Sequence, residues 1–194
     1  MFAAPPAVTA EVFCRIPDKF RRFGETTEWA QVQLHGAAAP VFLEGPVFDA
    51  DGNLWVTDIP WGRMFKIAPD GSCEVGFEYD GQPNGMKFLT DGRLLVADHH
   101  KGMVLCDPKT GKSEPWFDRY LLEPFLGCND LTIANRLRYL LIIKGNWIIL
   151  THENKVSWAA SLHTCCSMSI RVSECSISIA QIEQRKPIVN LPVV

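Results

Sequence analysis

Short apolar bursts separated by glycine-bearing turns run along the first two thirds of the chain. The runs PVFDA (46–50) and MKFLT (86–90) each lead into Asp-Gly, at Asp51-Gly52 and Asp91-Gly92. Asp-Gly between apolar runs is a hairpin signal, because glycine accepts the left-handed backbone that a tight turn demands. Alternating runs follow, LWVTDI (54–59) and LLVADH (94–99), and then a glycine turn. Third runs, MFKIAP (64–69) and MVLCDP (103–108), lead through a second glycine turn to fourth runs, CEVGFE (73–78) and KSEPWF (112–117). The dominant period is two rather than 3.6, so the elements predicted are strands, in two units of four.

The two units are copies of one another. At an offset of 40, Gly45 falls on Gly85, Asp51-Gly52 on Asp91-Gly92, Val56 and Asp58 on Val96 and Asp98, and Gly62 on Gly102. Four antiparallel strands in a repeat of about 40 residues describe one blade of a β-propeller. A β-sandwich built from similar hairpins is the alternative, and the Gly-His…Trp-Asp signature of WD40 blades is absent. A third copy opens at NDLTIA (129–134), with Asn129 in the place of Asn84. The Asp-Gly turn and the Asp-ended strand then fail to follow. The expected fold is all-β, a partial propeller of two to three blades. Residues 1–43 form a lead-in, 44–134 the blades, and 135–194 a divergent tail.

Composition sharpens that boundary. Residues 1–134 carry 12 Lys and Arg against 19 Asp and Glu, whereas residues 135–194 carry 7 against 3. Every aspartate and 13 of the 14 glycines precede residue 135. Loss of the repeat at one point is the pattern left by a changed reading frame or retained intron; a divergent cover or a shortened isoform is the other reading. An open ring leaves sheet faces uncovered, so marginal stability is expected. The net charge of −3 argues against a basic nucleic-acid surface. The apolar run YLLIIKGNWIIL (139–150) is too short to span a bilayer and contains Lys144. The first residues lack the basic region of a signal peptide. Seven cysteines without a Cys-x-x-Cys spacing read as reduced fillers, and a cytoplasmic location follows.

Several stretches carry a family likeness: LEGPVFDADGNLWVTDIPWGRMFKI, YDGQPNGMKFLTDGRLLVADHHKGMVLCDPKTG and GCNDLTIA, led in by AEVFCRIPDKFR. Together these resemble the SMP-30/gluconolactonase/LRE-like family over about residues 9–134. The resemblance implies a six-bladed propeller with a divalent cation on its axis and hydrolysis of a small-molecule lactone or ester. It assigns Glu44 and Asn129 as metal ligands and Asn84 as a channel residue near the substrate. The remaining ligands would lie in a later Asn-Gly and a later Asp-Gly, and neither motif occurs after residue 134.

The residues themselves agree with that assignment. Glu44 and Asn84 open the first strands of equivalent units, and Asn129 opens the third; first strands line a propeller's channel. A carboxylate with amide oxygens suits a hard cation, Ca2+ first, with Mg2+, Zn2+ or Mn2+ possible. Asp130, His99 and Trp61 are candidate substrate contacts beside Asn84. Each has a plainer reading: Glu44 a solvated turn carboxylate, Asn84 a turn residue, Asn129 a strand cap, His99 a surface histidine, Trp61 a packing residue. Asp58 and Asp98 read as backbone-bonding residues within their blades. Cys128 has no base to activate it. The leading function is a metal-dependent lactonase, impaired by missing ligands. The alternatives are a non-catalytic propeller fragment or partner-binding module, and a related propeller enzyme with different chemistry.

Overall fold

A computed structural model of the chain describes residues 9–120, 122–134, 138–143, 146–151, 156–159, 170–173 and 176–179. The lead-in holds strand β1 (Glu11–Arg15), a 3-10 turn at Asp18–Phe20 and one short helix, α1 (Glu28–Gln33). Thr27 caps α1 by accepting the Ala30 N–H at 3.2 Å.

Two four-stranded antiparallel meanders follow. The first runs β2 (Leu43–Phe48), β3 (Leu54–Asp58), β4 (Arg63–Ile67) and β5 (Cys73–Glu78). The second runs β6 (Pro83–Phe88), β7 (Leu94–Asp98), β8 (Gly102–Asp107) and β9 (Lys112–Phe117). Both neighbour order and strand spacing reproduce the repeat. The first strand of each unit starts and ends earlier than the sequence expectation: β2 covers 43–48 rather than 46–50, and β6 covers 83–88 rather than 86–90. Asp49 ends β2, because its carboxylate accepts the N–H groups of Asp51 and Asn53, the Asn53 amide and the Trp55 indole N–H, all within 2.9 Å. A residue so committed to its own turn cannot continue the ladder.

A small hairpin, β10 (Arg119–Tyr120) with β11 (Glu123–Pro124), leads to a third meander. This comprises β12 (Cys128–Ala134), β13 (Arg138–Ile143), β14 (Asn146–Thr151) and β15 (Val156–Ala159). The ladder therefore continues past the point where the repeat's turn residues stop. Backbone pairing needs extended, β-prone segments, and Arg138–Ile143 and Asn146–Thr151 supply them without the Asp-Gly signature. Finally β16 (Ile170–Ser173) pairs with β17 (Ser176–Ile179), and β17 pairs with β1.

The core lies between sheets. Leu54, Val56, Phe65 and Ile67 bury one face of the first sheet against Cys14, Ile16 and Val41 of the lead-in. Its other face sets Trp55, Met64 and Phe77 against Met86, Leu94, Val96 and Val104. The second sheet's far face sets Leu95, Ala97 and Met103 against Cys128 and Leu131. With both faces covered, β3 and β7 are buried at every position. Each large apolar side chain contributes roughly 1.5–3 kcal/mol on burial.

Asp58 and Asp98 stitch the blades, as their repetition implied. Asp58 accepts the Phe42 N–H at 2.8 Å and pairs with Arg63 at 2.8 Å. Burial pushes its carboxyl up to about 6, while the Phe42 N–H and Arg63 pull it back. Asp98 accepts from Tyr79 Oη at 2.6 Å and from the backbone N–H groups of Gln82, His100 and Lys101 at 2.7–2.8 Å.

Candidate functional site

The innermost strands β2, β6 and β12 each break register at or beside the residues singled out from sequence. In β2 the ladder steps from Glu44–Thr57 to Val47–Trp55, leaving Gly45 and Pro46 to bulge. In β6 it steps from Pro83–Asp98 to Met86–Val96, so Asn84 and Gly85 bulge. In β12 it passes from Cys128–Ile143 to Asp130–Ile142, and Asn129 is left over. A bulge bends its strand and re-aims a side chain, and such features recur beside active sites.

The three bulges touch. A β-carbon at Gly45 would overlap the carbonyl oxygen of Asn84 and lie 3.1 Å from the Gly85 Cα. One at Gly85 would overlap the Asp130 carboxylate and lie 3.0 Å from the Asn129 carbonyl oxygen. Glycine is therefore required at both places for the backbones to meet, and at Gly45 its positive φ of 53° adds a second reason. Glu44-Gly45, Asn84-Gly85 and Asn129-Asp130 form one continuous row across three sheets.

The environments within the row differ. Asn84 is buried, at 6% exposure, and its side-chain amide makes no hydrogen bond among the described residues. Asn129 and Asp130 are exposed, and Asp130 Oδ1 accepts the Leu131 N–H at 2.7 Å. Glu44 is exposed. Desolvation raises its pKa, the Asp130 charge adds to the rise, and the Gly45 N–H opposes it. No basic group figures among these influences. Among the described residues no cluster of three His, Cys, Asp or Glu occurs. The donor set brought together is two carboxylates and two amides, in which oxygen predominates.

His99 lies just past β7 and joins three segments. Its N–H donates to the Gln82 carbonyl at 2.9 Å, and its own carbonyl accepts the Gly127 N–H at 2.7 Å. It thus ties the residues that lead into Asn84 to those that lead into Asn129. The Gln33 amide nitrogen of α1 lies 3.3 Å from Nε2, so the amide donates and the ring proton resides on Nδ1. That Nδ1 is buried without a partner. Burial, and then His100, lower the His99 pKa, with Asp98 acting against them.

Trp61 is already engaged: its indole N–H donates to the Ala39 carbonyl at 2.9 Å, and Arg22 stacks on its ring at 4.8 Å. Residues that sequence reasoning missed are Thr57, Gln33 and Gln82, since only the fold brings them to the row and its rim. Cys128 is fully buried, and burial pushes its thiol up to about 12, as an inert filler requires.

The SMP-30/gluconolactonase/LRE-like family description matches residues 42–140, the span that contains all three bulges. The chain belongs to the SMP-30/gluconolactonase/LRE-like family. No curated protein matches the chain. Among solved structures it is similar to a gluconolactonase from Xanthomonas campestris, at 18% identity and TM-score 0.56, covering 63% of this chain and 48% of that one. A second structure assigned as a gluconolactonase aligns at 16% identity and TM-score 0.54, covering 61% and 48%. A protein of unknown function from Bacteroides caccae aligns at 19% identity and TM-score 0.50, covering 63% and 51%. These likenesses establish the fold, that of β-propeller proteins, of which this chain forms a part. The chain spans about half the length of the structures it matches.

Proposed function

We propose that this chain carries part of the cation centre of a gluconolactonase-like hydrolase, one that opens a sugar or related lactone. The observation that carries this reading is the row of bulges, which sets Glu44, Asn84 and Asn129 side by side. Glu44 and Asn129 would hold the cation, with Asn84 and Asp130 toward the substrate. The residues fit such a guest: the row brings two carboxylates and two amides together, the Asp130 charge acts on Glu44, and a divalent cation removes that repulsion. Ca2+ is the first choice for oxygen donors, with Mg2+, Mn2+ or Zn2+ also accommodated. When bound, the cation would polarise the lactone carbonyl and acidify a water. His99 stands at the rim as a candidate substrate contact, although its Nδ1 is buried in the structure. Trp61 has only its ring left for such contact, since its N–H is spent.

We further propose that the 194-residue chain is a weak catalyst by itself, because the later Asn-Gly and Asp-Gly ligand motifs do not occur after residue 134. A non-catalytic propeller module is the second reading, and the same missing ligand motifs favour it. Among the described residues no helix is long and apolar enough to cross a membrane. The free thiols Cys14, Cys73, Cys106 and Cys128 support a reducing, cytoplasmic setting.

Calorimetric titration with Ca2+ and Mn2+ tests the cation centre. The expected result is saturable binding that Glu44→Gln weakens at least tenfold. Equal binding by wild type and variant sinks the metal reading. Proton release from a sugar δ-lactone in a pH-stat then separates the hydrolase from the non-catalytic module.

A further inference from the structure

Thr57 is fully buried in β3, and its hydroxyl has no hydrogen-bond partner among the described residues. A buried hydroxyl left unpaired is costly, and valine would fill the same space without the penalty. Two residues pair with Thr57 across the ladders, Met64 on β4 and Glu44 on β2. Met64 offers no oxygen acceptor. Glu44 does, and directly opposed residues of an antiparallel pair project from the same face with β-carbons about 4.5–5.5 Å apart. That face is the one on which Trp55 packs toward the second sheet, which is the side of Asn84 and Gly85.

The second blade gives an internal comparison. Ala97 takes the place of Thr57 there, opposite the bulge that holds Asn84. The hydroxyl is present where the inner residue is a carboxylate and absent where it is an amide. We propose that Thr57 is a positioning residue for Glu44, its hydroxyl donating to the carboxylate so that one oxygen is held toward the channel axis. This rests on the reading of Glu44 as a cation ligand. A donor behind a ligating carboxylate fixes its orientation, and losing such a partner typically lowers metal affinity about 10–100-fold.

The near-isosteric substitution Thr57→Val separates this role from a merely structural one, because it keeps the packing and removes only the hydroxyl. The metal-free variant should still fold cooperatively, with at most the small loss of one hydrogen bond, while its affinity for Mn2+ falls about tenfold or more. Thr57→Ser should keep the affinity. A double-mutant cycle on metal-free protein, with Thr57→Val and Glu44→Gln singly and together, reads the hydroxyl–carboxylate bond by urea unfolding. Non-additivity of about threefold or more in the folding constant supports it. Additive effects overturn the proposal whatever the metal does, and so does unchanged Mn2+ affinity in a wild type that binds. Should wild type bind no cation, the metal reading fails by itself and the cycle still decides Thr57. Thr57→Ala serves in the cycle if the valine variant does not fold.

Discussion

At the scale of single residues, His99 shows how placement sets chemistry. Its backbone bonds to Gln82 and Gly127, and its ring is wedged beside His100 and Asp98 with Gln33 at Nε2. Burial and His100 favour the neutral ring, so the folded protein resists a proton that the unfolded chain accepts. The sign follows from that difference. The contribution of His99 to stability is complete above the ordinary histidine pKa of about 6.5 and is lost as pH falls below it. Asp58 works in the opposite sense: its carboxyl, raised to about 6, holds its proton in the folded state and costs stability as pH rises toward that value. Comparing wild type with His99→Gln cancels the Asp58 effect. Between pH 6.5 and 5 the melting temperature of wild type should fall more steeply than that of the variant, as followed by circular dichroism. Parallel profiles would show that His99 titrates freely. The histidine pair was visible in the sequence, but its two unlike environments were not. His100 is exposed, whereas His99 is half buried.

At the scale of elements, the inner strands are defined by their departures from regularity. The repeat located β2 and β6 and the opening of β12, and it paired Gly45 with Gly85 as equivalents. Nothing in the spacing announced a bulge in each strand, because register is settled by which cross-strand contacts pack best on both faces. The glycines then acquire a specific meaning, since the backbone of one inner strand occupies the space a side chain would need on the next. Gly85→Ala forces the methyl group into Asp130 and the Asn129 carbonyl. Overpacking of this kind should destabilise by about 1–3 kcal/mol in urea unfolding. It should also weaken cation binding out of proportion, by parting Asn129 from Glu44. Unchanged stability together with unchanged binding would mean that the row is looser than its geometry implies.

At the scale of the whole molecule, two ladders tie the last third of the chain to the rest. Among the described residues β12, which holds Asn129, pairs only with β13, and β1 of the lead-in only with β17. Removing residues 135–194 takes both partners away. The 1–134 fragment should therefore lose cooperative unfolding, seen as a broadened thermal transition, and should lose affinity at Asn129 while Glu44 remains. A fragment that melts as sharply as the full chain would make 135–194 a dispensable tail. Composition marked a boundary at residue 134, yet strand pairing runs across it, because composition records turn and surface residues whereas a ladder needs only extended backbone.

The sequence alone determined the strand period, the 40-residue repeat, the blade topology and the family likeness. Each of these is local, written in alternation and in turn residues that act within a few positions. It also nominated Glu44, Asn84 and Asn129 through their equivalent places in the repeat. The tertiary structure alone decided that three bulged strands meet backbone to backbone, that Thr57 lies opposite Glu44 across the ladder, and that Trp61 serves the lead-in. Those facts depend on contacts between residues far apart in the chain, where the close packing of one sheet on the next selects among side chains that look equivalent in sequence.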